Sequence, residues 1–362
     1  MKRIACRLSK RQWILLFSCF LCGLLALVLH IISGVIKAGQ LHEKVAEYWD
    51  PEKNTAHVSV YFSESEKYKL REDFTGTVFQ LESKYHGLLA ELQNASIDAS
   101  KEQNPNARQV VYGYSATGTL TAETPLAKSD VRAYGVGGDF FQFHPLTMIK
   151  GGYFSESDLM QDRVILDTET AWKLFGSNDI IGMFIKIGGE PHMVVGVYER
   201  ERGYLQDAAG NDKSIIFVSH DTLYRLGRYH GLETVEYLLP NPVTGFGKGL
   251  VEKQYNGMDV AFVEHQNRYD FMSLIKLLGA FGTRSMGLNG ITFPYWENTA
   301  RGIEDILVYL LLAELVLLLY AIAVLCGILW WLWIHREWRA AHLYVRIKDA
   351  VYDMRAKQKQ EE

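Results

Sequence analysis

The sequence predicts an α+β membrane protein in which two transmembrane helices flank an extracytoplasmic α/β subdomain that carries a β-rich insertion. Three observations lead there. Apolar runs at Trp13–Ile36 and Ile306–Ile334 lie near the two ends of the 362 residues. Each exceeds the about 20 residues a helix needs to cross a ~30 Å hydrocarbon core, where backbone groups must be satisfied within the segment. Between them, roughly 270 residues of mixed composition are enough for one or two folded domains. Strand-like alternation and helical periodicity take turns along that middle region.

The basic residues orient this layout. Lys2, Arg3, Arg7, Lys10 and Arg11 precede the first run with no acidic residue among them, which makes residues 1–12 a basic flank. Seven basic residues, from Arg336 to Lys359, follow the second run. Positive flanks stay inside, so both termini are expected to be cytoplasmic at the cell membrane and residues 37–305 extracytoplasmic. Trp330, Trp331, Trp333 and Trp338 mark the inner interface as an aromatic belt. The formal charge of −4 divides into +5 before the first run and +2 after the second, leaving −11 between. An ectodomain that acidic argues against nucleic acid as a partner. The first run is too long for the apolar core of a signal peptide and is expected to remain as an anchor.

Cys6, Cys19, Cys22 and Cys326 are the four cysteines, so residues 37–305 hold none and no disulfide can staple them. Ser18, Cys22 and Ala26 recur every four residues with Cys19 and Gly23 beside them, a small-residue face for close helix packing. Residues 37–55 read as a polar continuation of the first span. Ala56–Phe62 alternates Val58, Val60 and Phe62 with His57, Ser59 and Tyr61, a half-buried strand. Leu70, Phe74, Val78, Leu81, Tyr85, Leu88 and Leu92 follow at helical spacing, and Gln109–Tyr114 is a second strand. A similar unit returns late: strand Thr234–Leu239, a helix near 242–256, strand Asp259–Glu264 and helix Tyr269–Ala280. Two such halves, 37–119 and 221–303, predict one α/β subdomain split by an insertion at 120–220. Inside the insertion, Arg163–Asp167 and Ser214–Val218 read as strands, and Thr168–Phe175 as a short helix stopped by Gly176. Met183–Ile187 and Met193–Tyr198 read as a hairpin closed around Gly188 and Gly189. Glu201–Lys213 reads as a polar loop.

Several of these segments resemble a known family. Val131–Phe141 (Val-Arg-Ala-Tyr-Gly-Val-Gly-Gly-Asp-Phe-Phe) is similar to the opening of the MacB-like periplasmic core domain. Gly151–Asp158, Arg163–Asp167, Ala171–Gly176, Ile181–Gly182 and Met193–Val197 then follow in the family's order and spacing. The resemblance covers 131–200 closely and 13–300 loosely. It implies a MacB-type ectodomain and a place among ABC permeases that include the macrolide exporter MacB and FtsX-like proteins. That family's permease has four membrane helices, whereas this sequence shows two. The missing helices are therefore expected from another FtsX-like chain or a second copy. No G-x-x-x-x-G-K-[ST] occurs, and the glycine-rich runs Gly113–Gly118 and Gly245–Gly249 lack that pattern. A separate ABC ATPase subunit is the implied energy source.

Catalytic signatures such as H-E-x-x-H and G-x-S-x-G are absent from the sequence. The histidines lack ligand spacing, so no enzyme activity, metal or cofactor is expected. Glu314 lies inside the second apolar run, where ionisable residues usually face a protein interior. His30 and Glu314 sit about 9 and 12 Å from the outer boundary at ~1.5 Å per residue. Either they meet, or both reach the outer headgroups. In the tail, 335–362, Leu343, Ile347, Val351 and Met354 form an apolar stripe beside Asp349 and Asp353. With Arg336 and Glu337 these residues form either a coupling surface for the ATPase, as the resemblance implies, or a basic amphipathic helix on the inner leaflet. The leading reading is a permease-like subunit of an ABC-type transport or mechanotransmission complex. The alternative is a membrane-anchored extracytoplasmic binding or adaptor protein without transport.

Overall fold

The computed structural model describes residues 9–40, 42–50, 54–72, 74–95, 108–155, 158, 160–280, 287–288, 291–334 and 347–349. Helices α1 (Lys10–Ala38) and α2 (Val45–Trp49) precede strand β1 (Thr55–Phe62), and α3 (Glu64–Glu72) and α4 (Phe74–Asn94) follow it. Next come β2 (Val111–Glu123), β3 (Lys128–Gly138), α5 (Phe140–Phe143), β4 (Thr147–Gly151), β5 (Arg163–Asp167) and α6 (Thr168–Phe175). They are followed by β6 (Phe184–Ile187), β7 (Glu190–Glu199), α7 (Tyr204–Gln206), β8 (Ile215–Ser219), α8 (His220–Leu226) and β9 (Arg228–Pro240). The chain then forms α9 (Phe246–Gln254), β10 (Val260–Glu264), α10 (Phe271–Ala280), a short hairpin of β11 (Gly287–Leu288) and β12 (Ile291–Thr292), and α11 (Tyr295–Ile334).

Residues 36–308 form one unit around a ten-stranded sheet of order β10-β1-β9-β2-β3-β8-β5-β7-β4, with β6 pairing both β2 and β7. Only β3–β8 and β5–β7 pair in parallel. The sheet runs without interruption past residue 120, because β2 and β9 each extend to 13 residues. Glycine and threonine break the apolar alternation of β2, whose ladder with β3 is regular while that with β9 is bulged between Ser115 and Ala116 and between Thr117 and Gly118, so the second half of the strand carries no periodic signal.

The apolar side chains nevertheless divide into two cores. Val58, Val60 and Phe62 of β1 pack with Leu81, Leu88 and Leu92 of α4 and Val251 of α9. Leu120, Val164, Leu166, Leu174, Val194 and Leu223 fill the other. The change of core falls between Tyr114 and Ala116 on β2 and between Tyr229 and Leu232 on β9. Gly113 and Gly118, which form no phosphate loop, are positions where other backbone approaches β2 closely. A Cβ at Gly113 would stand 2.8 Å from the backbone N and Cα of Phe140.

Local signals acted as expected at two turns. Asp167 caps α6 by accepting from the Thr170 N–H at 3.2 Å, and Gly176 ends it with φ 70°. Gly188 and Gly189, at φ 59° and 90°, close the β6–β7 hairpin in the geometry of a two-residue primed turn. Two expectations differ from the structure. The periodic stretch from Leu70 to Leu92 is two helices, and Thr77 Oγ1 donates to the Leu70 carbonyl at 2.8 Å to satisfy the end of α3. The Glu201–Lys213 stretch is largely helical: α7 runs into a π-turn at Asp207–Asn211. Arg132 and Arg200 donate to the carbonyls of Gly210 and Asn211 at 2.8 and 3.1 Å, so one half-buried and one buried guanidinium organise a polar sequence. At the far edge of the sheet, β4 is bulged between Met148 and Lys150, and Lys150 pairs with Asp179 at 2.8 Å.

The second unit comprises the described residues before Ile36 and after Val308. Its buried positions are Cys19, Ala26 and Ser33 on α1 and Glu314, Ala321 and Ile328 on α11. Both sets repeat every seven residues, the period of a left-handed helix pair. Ser18 Oγ lies 3.0 Å from Tyr320 Oη, and Cys19 Sγ 3.5 Å from the Ala321 carbonyl.

Gly113→Ala is expected to lower stability by about 1–3 kcal/mol, since the Phe140 backbone cannot yield as a side chain would. The expected outcome is a lower Tm in thermal unfolding of the purified full-length chain. Gly249→Ala serves as the control, because a Cβ there meets nothing within 4 Å.

A buried ionic chain at the root of the second span

The alternation of β1 predicts His57, Ser59 and Tyr61 on a solvent face. All three are buried instead, because β10 and β9 flank β1 on both sides and further chain covers its polar face. Glu236 of β9 stands directly opposite Ser59 in the strand register. Its carboxylate accepts from Ser59 Oγ at 2.7 Å, lies 3.1 Å from His57 Nε2, and pairs closely with His144 Nε2 from the turn after α5. Burial alone would push the Glu236 carboxyl up, yet the adjoining charge and hydrogen bonds of His144 and His57 hold it well below the usual carboxylate range. His57 itself is pushed down to about 4, first by burial and then by the neighbouring His265.

Ser59 Oγ also lies 2.7 Å from His265 Nε2, in the turn after β10, and His265 Nδ1 lies 2.7 Å from Glu43 Oε2. Burial opposes a charge on His265, but the Glu43 carboxylate more than offsets it and raises the imidazole above its ordinary value. Glu43, on the connector behind α1, is held well below the usual range against the pull of burial by His265 and Arg268. Arg268 then gathers three carboxylates. It grips Glu297 with Nη1 and Nη2, each at 2.8 Å, reaches Glu43 at 3.3 Å, and turns its Nε to Glu304. Arg301 adds a 2.6 Å bond to Glu297, and Tyr61 Oη donates to Glu297 at 3.4 Å.

Glu297 and Glu304 lie on the first turns of α11, just ahead of the apolar run that opens at Ile306. The same turns carry Trp296, which packs on Tyr134, Phe140 and His144, the last with ring centroids 4.3 Å apart. One continuous polar chain thus links the connector behind α1, strands β1 and β9, the turn after β10 and the base of α11.

His57, Glu236 and His265 present three donor atoms within 4.8 Å of one another, a residue set that suits a transition metal. Their arrangement is different: the His57 and His265 rings stack at 4.0 Å with planes 20° apart. Stacked rings set their lone pairs side by side, whereas a tetrahedral ion needs them convergent at about 2.0–2.1 Å. The geometry is that of a hydrogen-bond relay.

Of the residues singled out in the sequence, His30 Nδ1 and Glu314 Oε2 lie 3.5 Å apart, and Ser33 Oγ donates to Glu314 at 3.4 Å. Ile347 and Asp349 fall in a short helical turn and are exposed. Arg336, Glu337, Leu343, Val351, Asp353 and Met354 lie outside the described residues. Sequence reasoning missed the ionic chain. The one available signal was Glu236, a single carboxylate in the otherwise apolar strand Val235–Leu239.

Fold and site together define a membrane protein whose mixed α/β ectodomain is fastened to the base of its second long apolar helix. The profile of the MacB-like periplasmic core domain matches residues 54–244, and the chain belongs to that family of ABC-transporter permease-like proteins. Among curated relatives, the macrolide export ATP-binding/permease protein MacB of Chromobacterium violaceum is 36% identical over 97 residues, 24% of this chain and 15% of the relative. The MacB of Escherichia coli K12 is 29% identical over 126 residues, 34% of this chain and 18% of the relative. The chain therefore aligns with less than a fifth of the length of these relatives. Among solved structures, the periplasmic region of MacB from Actinobacillus actinomycetemcomitans covers 64% of this chain and 94% of its own, with 12% identity and a TM-score of 0.38. The extracellular domain of the Gram-positive transporter YknZ covers 58% of this chain and 99% of its own, with 20% identity and a TM-score of 0.34.

Removing one partner of a buried ion pair leaves uncompensated charge. Arg268→Met is therefore expected to cost about 3–5 kcal/mol, against ~1 kcal/mol or less for Lys150→Met at the exposed Asp179 pair. Thermal unfolding of the two variants in detergent checks the contrast. His57 gives a pH test. Its unfolded pKa is near 6.5 and its folded value near 4, so below pH 6.5 the unfolded state binds a proton that the folded state refuses. Stability is expected to fall as pH drops through that window, by on the order of 3 kcal/mol at most. His265 acts in the opposite sense, its contribution being complete below 6.5 and lost as pH rises through its folded value. Tm measured from about pH 7 to about pH 4.5 should decline less steeply in His57→Gln than in the parent.

Proposed function

We propose that the chain is a permease-like membrane subunit of an ABC-type transport or mechanotransmission complex, energised by a separate ATPase. The observation that carries this reading is Arg268, which binds Glu297 and Glu304 at the base of α11 and Glu43 behind α1. Helix α11 continues from those residues through the apolar run without a break. Displacement of either span would act on this one guanidinium, and through His265, Ser59 and Glu236 on the sheet. The ectodomain would respond mechanically, by reorienting as a body rather than by chemistry. A partner FtsX-like chain or a second copy joins it in the membrane. His30 and Glu314 form a polar contact between the spans, and the tail residues Arg336, Glu337, Leu343, Ile347, Asp349, Val351, Asp353 and Met354 meet the ATPase.

Purification of the tagged full-length chain from native membranes is expected to recover an ATP-hydrolysing subunit with it. Repeated recovery of the chain alone would overturn the transport reading and favour an anchored binding or adaptor protein. Asp349→Lys combined with Asp353→Lys should reduce that co-purification while the chain stays in the membrane, because docking needs groups of both signs whereas leaflet attraction needs positive charge alone. The proposed orientation has its own check. In a chain without native cysteines, Val243→Cys should react with an impermeant thiol reagent on intact cells and Gln358→Cys should not. The reverse pattern would invert the topology.

A further inference from the structure

Helix α10 exposes its apolar side. Phe271, Met272, Ile275 and Leu278 are 51%, 63%, 38% and 41% exposed, while Leu274 is 2% exposed and packs inward. At roughly 100° per residue, the four exposed side chains fill an arc of about 120° beside the buried face. Lys276 lies at the margin of that arc. A ten-residue helix of this composition in water would be costly: each such side chain loses on the order of 1.5–3 kcal/mol of burial by staying exposed.

Its position in the chain indicates what covers it. Arg268 precedes Phe271 by three residues, a reach of at most about 11 Å, and Asp270 and Ser273 bond back to the Asn267 carbonyl to keep the turn tight. Arg268 is itself bound to Glu304, two residues or ~3 Å of helix from Ile306, where the apolar run begins. The exposed stripe of α10 therefore starts within a short reach of the place where α11 passes from polar to apolar surface. We infer that α10 is an interfacial helix whose Phe271, Met272, Ile275 and Leu278 insert into the headgroup–acyl boundary of the leaflet on the ectodomain's side. Amphipathic helices occupy that boundary at a depth of about 5–10 Å, and Lys276 can extend to the phosphates. This inference rests on the reading of α11 as a membrane span, but not on which side the termini occupy.

The test uses the full-length chain, with its four native cysteines replaced by alanine, reconstituted in vesicles of phosphatidylcholine and phosphatidylglycerol. A single bimane fluorophore is placed at Ile275→Cys, at Val243→Cys on the ectodomain surface, or at Leu319→Cys in the span. Lipids spin-labelled near the carbonyl end of the acyl chain should quench the label at 275 roughly twofold or more, exceeding lipids labelled near the methyl end, as for a helix at the boundary. The label at 243 should respond to aqueous iodide alone. If the label at 319 is quenched by lipid but that at 275 responds only to iodide, α10 faces water and the inference fails while the span reading stands. If the label at 275 responds to neither, a protein surface covers α10, and the inference fails as well. Absence of lipid quenching at 319 would overturn the span reading and the inference together.

Discussion

A single buried guanidinium holds the architecture at its most demanding point. Arg268 sits among Glu43, Glu297 and Glu304, and a lone charge so placed would be untenable in a low-dielectric interior. With three carboxylates and the imidazole of His265 around it, the charges compensate one another, but only while all the contributing segments keep their places. Those segments are far apart in sequence, from the connector behind the first long helix to the start of the second. Hydrophobic packing could accommodate a shift of one of them by repacking. A hydrogen-bonded charge cluster cannot, because each lost partner leaves a buried charge behind. The membrane-proximal end of the ectodomain is thus specified by electrostatics, while the bodies of its two cores are specified by ordinary apolar packing.

This division explains what could be read from the sequence. Val58, Val60 and Phe62, Gly176 and the Gly188–Gly189 turn are local signals, and each marked the element it announced, whereas the periodicity from Leu70 to Leu92 announced one helix where the chain forms α3 and α4. The family likeness in 131–200 falls in the stretch read from the sequence as an insertion, where these signals are densest, and the matched domain at 54–244 widens it to most of the residues between the long apolar helices. The ionic chain left no comparable trace. His57, Ser59 and Tyr61 alternate with apolar residues as a solvent face would, and only distant chain such as Phe143, His265 and Phe293, laid over that face, buries them. His144, His265, Arg268 and Glu297 are scattered along the chain at spacings that fold topology alone brings together. The length of β2 and β9 was hidden for a related reason, since strand pairing, not side-chain periodicity, carries them past Tyr114 and back before Thr234.

The polar contact of His30 with Glu314 and the cluster around Arg268 differ in kind. The first joins two helices of the apolar unit through one carboxylate, with Ser33 as a third partner. The second joins three carboxylates, Glu43, Glu297 and Glu304, through Arg268 and Arg301 within the ectodomain unit, where α11 begins.

The bulged strand β4 has a consequence for how such chains can assemble. A sheet of ten strands ends somewhere, and an open edge is a template onto which another chain can add a strand. Here the edge is interrupted at Met148–Lys150, bears a charged lysine engaged with Asp179, and bends away at Gly151, whose φ is 75°. Strand addition is disfavoured at that side, so neighbouring ectodomains cannot fuse their sheets into a shared ribbon there. Any contact made at that edge would be through side chains, and such contacts can form and separate repeatedly without unravelling the fold.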